Sequence, residues 1–178
     1  MESCNFSPTA KRVRDNDWND RKYIRAGIIP YCVIGENIFF CFGVENGVGA
    51  IGDFGGHREK VDSDALDTAI REYQEESLNL FGELKRDRLQ DCYILDGSDT
   101  VEILLPVTGS MYEYSTRFRN TIREDTSHEV QSIIWLSKSQ LLTAIDSQHE
   151  AFDGTKIYHM YNRIRDTVHM NREFIQNM

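Results

Sequence analysis

Long apolar runs are missing from this chain of 178 residues. Nothing in it approaches the roughly twenty apolar residues that a membrane-spanning helix needs, so no membrane partner is expected. The first residues, MESCNFSPTAKRVRDNDWNDRK, contain no apolar signal region, and a cytoplasmic location is expected, a nuclear one being compatible. Excess positive charge is missing too. Lysine and arginine number 20 against 29 acidic residues, a formal net charge of -9. Such a surface repels phosphate backbones and argues against non-specific nucleic-acid binding. Cysteines are few, at four, and none forms a C-x-x-C pair; the histidines show no H-E-x-x-H spacing. A disulfide framework and a zinc site are therefore not expected, and Cys32, Cys41 and Cys92, in or beside apolar runs, read as buried free thiols.

What is present is ordinary for a globular protein: 40% apolar and 28% charged residues in a length that suits one domain. Residues 1–20 are polar and weakly periodic and read as an arm, with Trp18 as its possible anchor. Residues 21–178 read as a single domain. Apolar β-rich runs predict strands over 23–34 and 38–44, joined by a turn at Gly35, Glu36 and Asn37. Pro30 inside the first implies an edge, a bulge or a break. A short strand is expected at 50–54, and further strands over 91–95, 100–107 and 130–136. Helical spacing predicts helices over 64–79, 110–123 and 137–145. From Lys156 onward, Ile157, Met160, Tyr161, Ile164 and Val168 share one helical face, which predicts a terminal amphipathic helix. Strands and helices alternate throughout, which makes the fold class α/β.

The chemistry is concentrated in residues 55–80, GGHREKVDSDALDTAIREYQEESLNL. Residues three and four apart on a helix are neighbours, so Glu72 lies beside Glu75 and Glu76. Like charges so placed cost roughly 0.2–0.5 kcal/mol per pair even when exposed. A hard divalent cation with a preference for oxygen ligands, Mg2+ or Mn2+, offsets that repulsion. Arg71, four residues before Glu75, is placed to orient its carboxylate. A solvated acidic helix surface is the plain alternative, and R-E-x-x-E-E alone does not decide between them. The glycine pair just before the helix does favour a site, because backbone can approach closely there and Gly56 can offer its carbonyl to the same cation.

This segment resembles the Nudix box, G-x5-E-x7-R-E-U-x-E-E-x-G-U, with U a bulky aliphatic residue. Gly56, Arg71, Glu72, Tyr73, Glu75 and Glu76 stand at matching positions. Arg25-Ala26-Gly27, Asp53-Phe54-Gly55-Gly56 and Trp135-Leu136 resemble the family's framework. The spacing from Gly56 to Arg71 is one residue longer than the pattern. Asp62, Ser63 or Asp64 replaces the early glutamate, and Ser77-Leu78-Asn79 replaces the usual x-Gly-aliphatic. The resemblance implies a Nudix-like α/β/α sandwich around a mixed β-sheet. It also implies a metal-dependent hydrolase of phosphoanhydride bonds, with Mg2+ or Mn2+ on Glu72, Glu75, Glu76 and Gly56, and with Arg71 as their orienter.

Beyond the box, Glu129 stands at the mouth of a late strand and is the candidate additional catalytic carboxylate beside Glu75; Glu102 and Glu113 are alternatives. His57 and Arg58 follow the glycines and are candidate contacts to substrate phosphate. Tyr112, Tyr114, Arg117, Phe118 and Arg119 interleave aromatic and basic residues, a pattern that can clamp a base or can be half core and half surface. Three functions stay open. One is hydrolysis of a nucleotide-type small molecule linked through a nucleoside diphosphate. Another is decapping of capped RNA, since the run from Asp62 to Tyr73 loosely resembles boxes in decapping enzymes of large DNA viruses. The third is a non-catalytic nucleotide-binding module.

Overall fold

A computed structural model describes residues 11–20, 22–123, 125, 127–147 and 150–178. The two strands expected first form a hairpin, β2 (Arg25–Ile34) and β3 (Asn37–Glu45), after a two-residue strand β1 (Lys11–Arg12). The glycine-rich stretch holds two strands rather than one, β4 (Ala50–Gly52) and β5 (Phe54–His57), separated by Asp53. Then come α1 (Ala65–Ser77), α2 (Arg86–Leu89), β6 (Tyr93–Asp96), β7 (Thr100–Pro106), α3 (Met111–Ile122), β8 (Val130–Ser137) and α4 (Lys138–Asp146). The last part runs through β9 (Glu150–Phe152), β10 (Ile157–Met160), α5 (Asn162–Met170) and α6 (Arg172–Asn177).

The strands make one mixed sheet in the order β1-β6-β7-β2-β3-β4-β10-β9, with β5 on β2 and β8 on β3. Period-two alternation sends neighbouring side chains to opposite faces. Ile28, Val101, Ile103 and Ile133 join Leu66, Ala69 and Tyr73 of α1 and Phe118 of α3 in one core. Ile29, Phe40, Phe42, Leu104 and Leu136 join Leu141 of α4, Ile164 and Val168 of α5 and Ile175 of α6 in the other. The α/β/α sandwich expected from the sequence is the one observed.

Pro30 lies in a central strand, not at an edge. The carbonyl of Tyr31 accepts from Val107, so Tyr31 faces β7 and Pro30, one residue away, faces the opposite edge. There β2 changes partner, from β5 at Arg25 to Ile28 to β3 at Tyr31 to Ile34, and the missing N–H falls in the gap.

The single terminal helix expected from Lys156 is not what forms. Residues Ile157–Met160 are strand, parallel to β4 through His159 to Ala50 and Met160 to Ile51, and antiparallel to β9. Their apolar spacing fits either period over so short a run. The open edge of β4 supplies backbone partners, and the helix waits until Asn162. The arm expected over 1–20 is docked where it is described: β1 pairs with β6, Val13 is buried, and the indole of Trp18 donates to the Val13 carbonyl at 2.8 Å. Residues 1–10, with Cys4, lie outside the described residues. Cys32, Cys41 and Cys92 are buried and free. Among the described residues no helix is long and apolar enough to cross a membrane.

Candidate active site

The carboxylate helix α1 begins where its cap allows. Asp64 adopts an extended backbone and accepts from the N–H groups of Leu66 and Asp67 at 2.9 and 3.0 Å. Ala65, Leu66, Ala69 and Tyr73 are buried beneath it. At about 100° per residue, Glu72 and Glu76 lie about 40° apart, while Glu75 is about 100° from Glu76. The expected trio therefore divides. Glu72 and Glu76 line a cavity of about 620 Å³. Glu75 lies outside its lining, 60% exposed, with Arg71 at 3.4 Å.

Strand β5 lines the cavity through Gly55, Gly56 and His57. The N–H of Gly55 donates to Oε2 of Glu76 at 2.9 Å. A Cβ on Gly56 would stand 2.3 Å from Oε1 of Glu72, so a larger residue here would displace this carboxylate. Gly27, opposite Gly55 on β2, is under the same constraint: a Cβ there would overlap Oδ2 of Asp53 at 1.6 Å.

Two guanidinium groups hold the surroundings in place. Arg71 forks onto Asp62 through Nε at 3.1 Å and Nη2 at 2.9 Å, reaches Glu72 at 2.8 Å, and donates to the His57 carbonyl at 3.1 Å. Of the three residues that might replace the early glutamate of the box, Asp62 is the one that meets Arg71, while Asp64 caps the helix and pairs with Arg86. Burial raises the Asp62 carboxyl, but Arg71, the Glu59 N–H and the Thr68 hydroxyl outweigh it and hold the group below the usual carboxylate range. Arg25 is nearly buried. It grips Asp53 at 2.6 and 2.9 Å, Glu102 at 3.0 Å and the carbonyl of Gly55 at 2.8 Å.

The cavity wall is strongly acidic. Burial, then the charges of Asp53 and Glu129, push Glu76 up to about 9. Burial also raises Glu72 against the pull of Arg71. Glu129 lines the cavity, as does Glu45, which follows the β-bulge after Val44 and has a buried Oε2 without a hydrogen-bond partner. Burial, with Glu129 adding, raises Glu45. Among the described residues no three carboxylate, imidazole or thiolate side chains already converge as metal ligands. The donor set is nevertheless all oxygen, and burial beside other carboxylates disfavours the charged form of Glu76, a penalty that a cation would relieve. That is a chemical fit to a hard divalent ion.

The other candidates fall on both sides of the cavity boundary. His57 lines it, and its Nε2 lies 3.0 Å from Nη1 of Arg163. Arg58 does not. As the next residue along an extended chain it points the other way, and its guanidinium donates to the Ser63 carbonyl at 2.6 Å. Glu102 is entirely buried behind the sheet surface with Arg25, and Glu113 is exposed on α3. The aromatic and basic run of α3 is half core and half surface: Phe118 is buried, Tyr114 packs on Phe81 and Trp135, and Tyr112 is exposed. Sequence reasoning missed Tyr161 and Arg163 as cavity residues. The expected terminal helix puts Tyr161 on its apolar, packed face, and nothing in the order of residues singles out Arg163.

No family model matches the chain, and no curated protein does. Solved structures do. An Ap4A hydrolase of C. elegans, in a binary complex, aligns with a TM-score of 0.49 at 15% identity over 86% of this chain and 98% of that one. RenU, a Nudix hydrolase from M. smegmatis, aligns at 0.47 and 8% identity over 85% of each chain. The NUDIX domain of Shewanella oneidensis NrtR, complexed with ADP ribose, aligns at 0.46 and 10% identity over 95% of this chain and 93% of that one. The fold itself is an α/β/α sandwich around one mixed sheet. Within it, the glycine strand, the loop through Asp62 and the R-E-x-x-E-E helix of the box stand as β5, connecting loop and α1.

Proposed function

We propose that this protein is a Nudix pyrophosphohydrolase: a metal-dependent enzyme that cleaves the phosphoanhydride bond of a nucleotide-type small molecule linked through a nucleoside diphosphate. The observation that carries the reading is Glu76, a half-buried carboxyl raised to about 9 beside Asp53, Glu129 and Glu72, in the lining of a cavity of about 620 Å³. Evolving a protein around so costly a cluster makes sense when a cation completes it. Glu72, Glu76 and the Gly56 carbonyl would hold Mg2+ or Mn2+, with Glu75 at the margin. When bound, the ion supplies charge neutralisation for a diphosphate and acidifies water.

The chain's own groups have separate tasks in this reading. Glu129 lines the same cavity near Glu76 and takes the proton of the attacking water. Arg71 keeps Glu72 and Glu75 in orientation by its fork on Asp62. Arg25 fixes the Gly55 carbonyl, and with it the strand that passes Glu72. His57 contacts substrate phosphate.

The basic residues near the N-terminus favour a small substrate over capped RNA. Arg14 pairs with Asp91, Lys11 and Lys22 pair with Asp96, Arg12 lies over the Tyr93 ring, and Arg25 is taken up by Asp53 and Glu102. Arg21 lies outside the described residues. Carboxylates thus already neutralise much of the positive charge that an RNA backbone would need. The test is turnover of a panel of nucleoside-diphosphate compounds and a capped RNA against Mg2+ and Mn2+, with products identified by mass. The expected result is metal-dependent cleavage of a free compound. Binding without cleavage at every metal concentration would leave a nucleotide-binding module, and exclusive cleavage of the cap would make the protein a decapping enzyme.

A further inference from the structure

The cavity has two guanidinium groups, and they differ in what they still offer. Arg25 is nearly buried, with its donors on Asp53, Glu102 and the Gly55 carbonyl. Arg163, in the first turn of α5, is 43% exposed. Its Nη2 stands 3.9 Å from Asp99, beyond hydrogen-bond range, and its Nη1 stands 3.0 Å from Nε2 of His57. A guanidinium can only donate, so His57 accepts here. Two groups of basic character therefore sit side by side in the lining of the cavity that Glu72, Glu76 and Glu129 also line.

Two residues earlier, Tyr161 lines the same cavity and is 40% exposed. Its ring rests on Gly52, where an added Cβ would stand 3.3 Å from Cδ2. Its N–H donates to the Ile51 carbonyl at 3.2 Å, so the β4–β10 pairing anchors the foot of the ring. An open aromatic face and an under-used guanidinium occur two residues apart on one anchored turn. A phosphate cannot be drawn to the glutamate wall unaided, whereas this turn attracts it, and a flat base has a stacking surface beside it.

We propose that Tyr161, Arg163 and His57 form the base-and-phosphate clamp of the cavity: Tyr161 stacks the nucleobase, and Arg163 with His57 binds the phosphate next to it. The proposal rests on the reading that the cavity takes a nucleotide-type compound, and it assigns which end of that compound meets the β10–α5 turn. The glutamate wall is left to the scissile diphosphate.

Equilibrium binding separates the clamp from the chemistry, because nucleoside monophosphates have no anhydride bond to cut. Calorimetry on the full chain with Mg2+ would compare AMP and GMP with ribose 5-phosphate, which lacks the base. Tyr161→Ala is expected to weaken the tighter monophosphate by about tenfold or more and to leave ribose 5-phosphate within about twofold. Tyr161→Phe is expected to keep the wild-type affinity. Arg163→Ala is expected to weaken both ligand types by about tenfold. Unchanged melting temperatures would show that the variants fold. Either alanine variant binding every ligand within twofold of the wild type overturns the clamp, and so does a wild type that binds neither monophosphate. If the expected pattern appears but no diphosphate is ever cleaved, the clamp stands and the hydrolase reading falls. If cleavage is intact and the variants bind as the wild type does, the hydrolase reading stands and the clamp falls.

Discussion

The N–H of Gly55 donates to Oε2 of Glu76 at 2.9 Å, tying the glycine strand directly to the carboxylate helix. That bond is compatible with the charged carboxylate and with its neutral form. It positions Glu76 without supplying the positive charge that Asp53, Glu129 and Glu72 make necessary.

Replacing Glu76 by glutamine keeps the shape and removes the charge. Metal-dependent turnover is expected to fall by at least about a hundredfold, which corresponds to about 2.8 kcal/mol of lost transition-state stabilisation. Mg2+ or Mn2+ is expected to raise the melting temperature of the wild type, because a cation bound only by the native state stabilises it. Glu72→Gln combined with Glu76→Gln should abolish that shift. An unchanged kcat in Glu76→Gln together with an unchanged metal shift in the double variant would remove these residues from the centre.

Arg71 joins Asp62 to Glu72, and Asp62 is almost fully enclosed. Arg71→Ala leaves a buried carboxylate without its charged partner and is expected to cost about 3 kcal/mol. Lysine cannot reproduce the two-nitrogen fork, so Arg71→Lys should recover less than half of that loss. Urea unfolding measures both, and equal stability of arginine and lysine forms would show that charge alone matters there.

The helix ends against a conformational preference. Leu78 has φ 54° and Asn79 φ 56°, both left-handed, and Leu78 stands where the Nudix pattern has glycine. A β-carbon in that region costs about 1–2 kcal/mol, offset in part by the greater freedom of glycine in the unfolded chain. Leu78 is 40% exposed, so little packing is at stake. Leu78→Gly is expected to stabilise by about 0.5–1 kcal/mol, a rise of about 1–4 °C in Tm. A fall in Tm would mean that the leucine side chain is worth more than the strain.

The cap of the same helix makes a pH prediction. Burial raises the Asp64 carboxyl, but Arg86 and the N–H groups of Asp67 and Leu66 outweigh it, leaving a lowered value in the folded protein. A lowered folded value means that Asp64 stabilises fully above the ordinary carboxylate range, about pH 4, and loses that contribution as pH falls through the folded value. Asparagine caps as well as aspartate but does not titrate. Wild type should exceed Asp64→Asn in stability at pH 7, and the difference should shrink below about pH 4. A difference independent of pH would count against the ion pair with Arg86.

Much of this was legible in the order of residues. Asp64 before an apolar 3–4 repeat specified α1 and its start, because capping and helical periodicity are local. Short apolar runs rich in β-branched and aromatic residues specified β2, β3, β7 and β8 for the same reason. The neighbourhood of Arg71, Glu72 and Glu75 followed from helical geometry alone. Other features depended on partners distant in the chain. Glu75 faces outward and Glu76 inward because the sheet covers one side of α1, which no spacing rule states. Asp62, rather than Ser63 or Asp64, meets Arg71 because the loop folds back on the helix. Ile157 to Met160 became strand because β4 left an edge to pair with, and that pairing carried Tyr161 and Arg163 into the cavity that Glu72 lines. Short-range hydrogen bonding and side-chain periodicity are written in adjacent residues; strand partnership and the meeting of a cavity's walls are settled only when the chain closes on itself and buries its two cores.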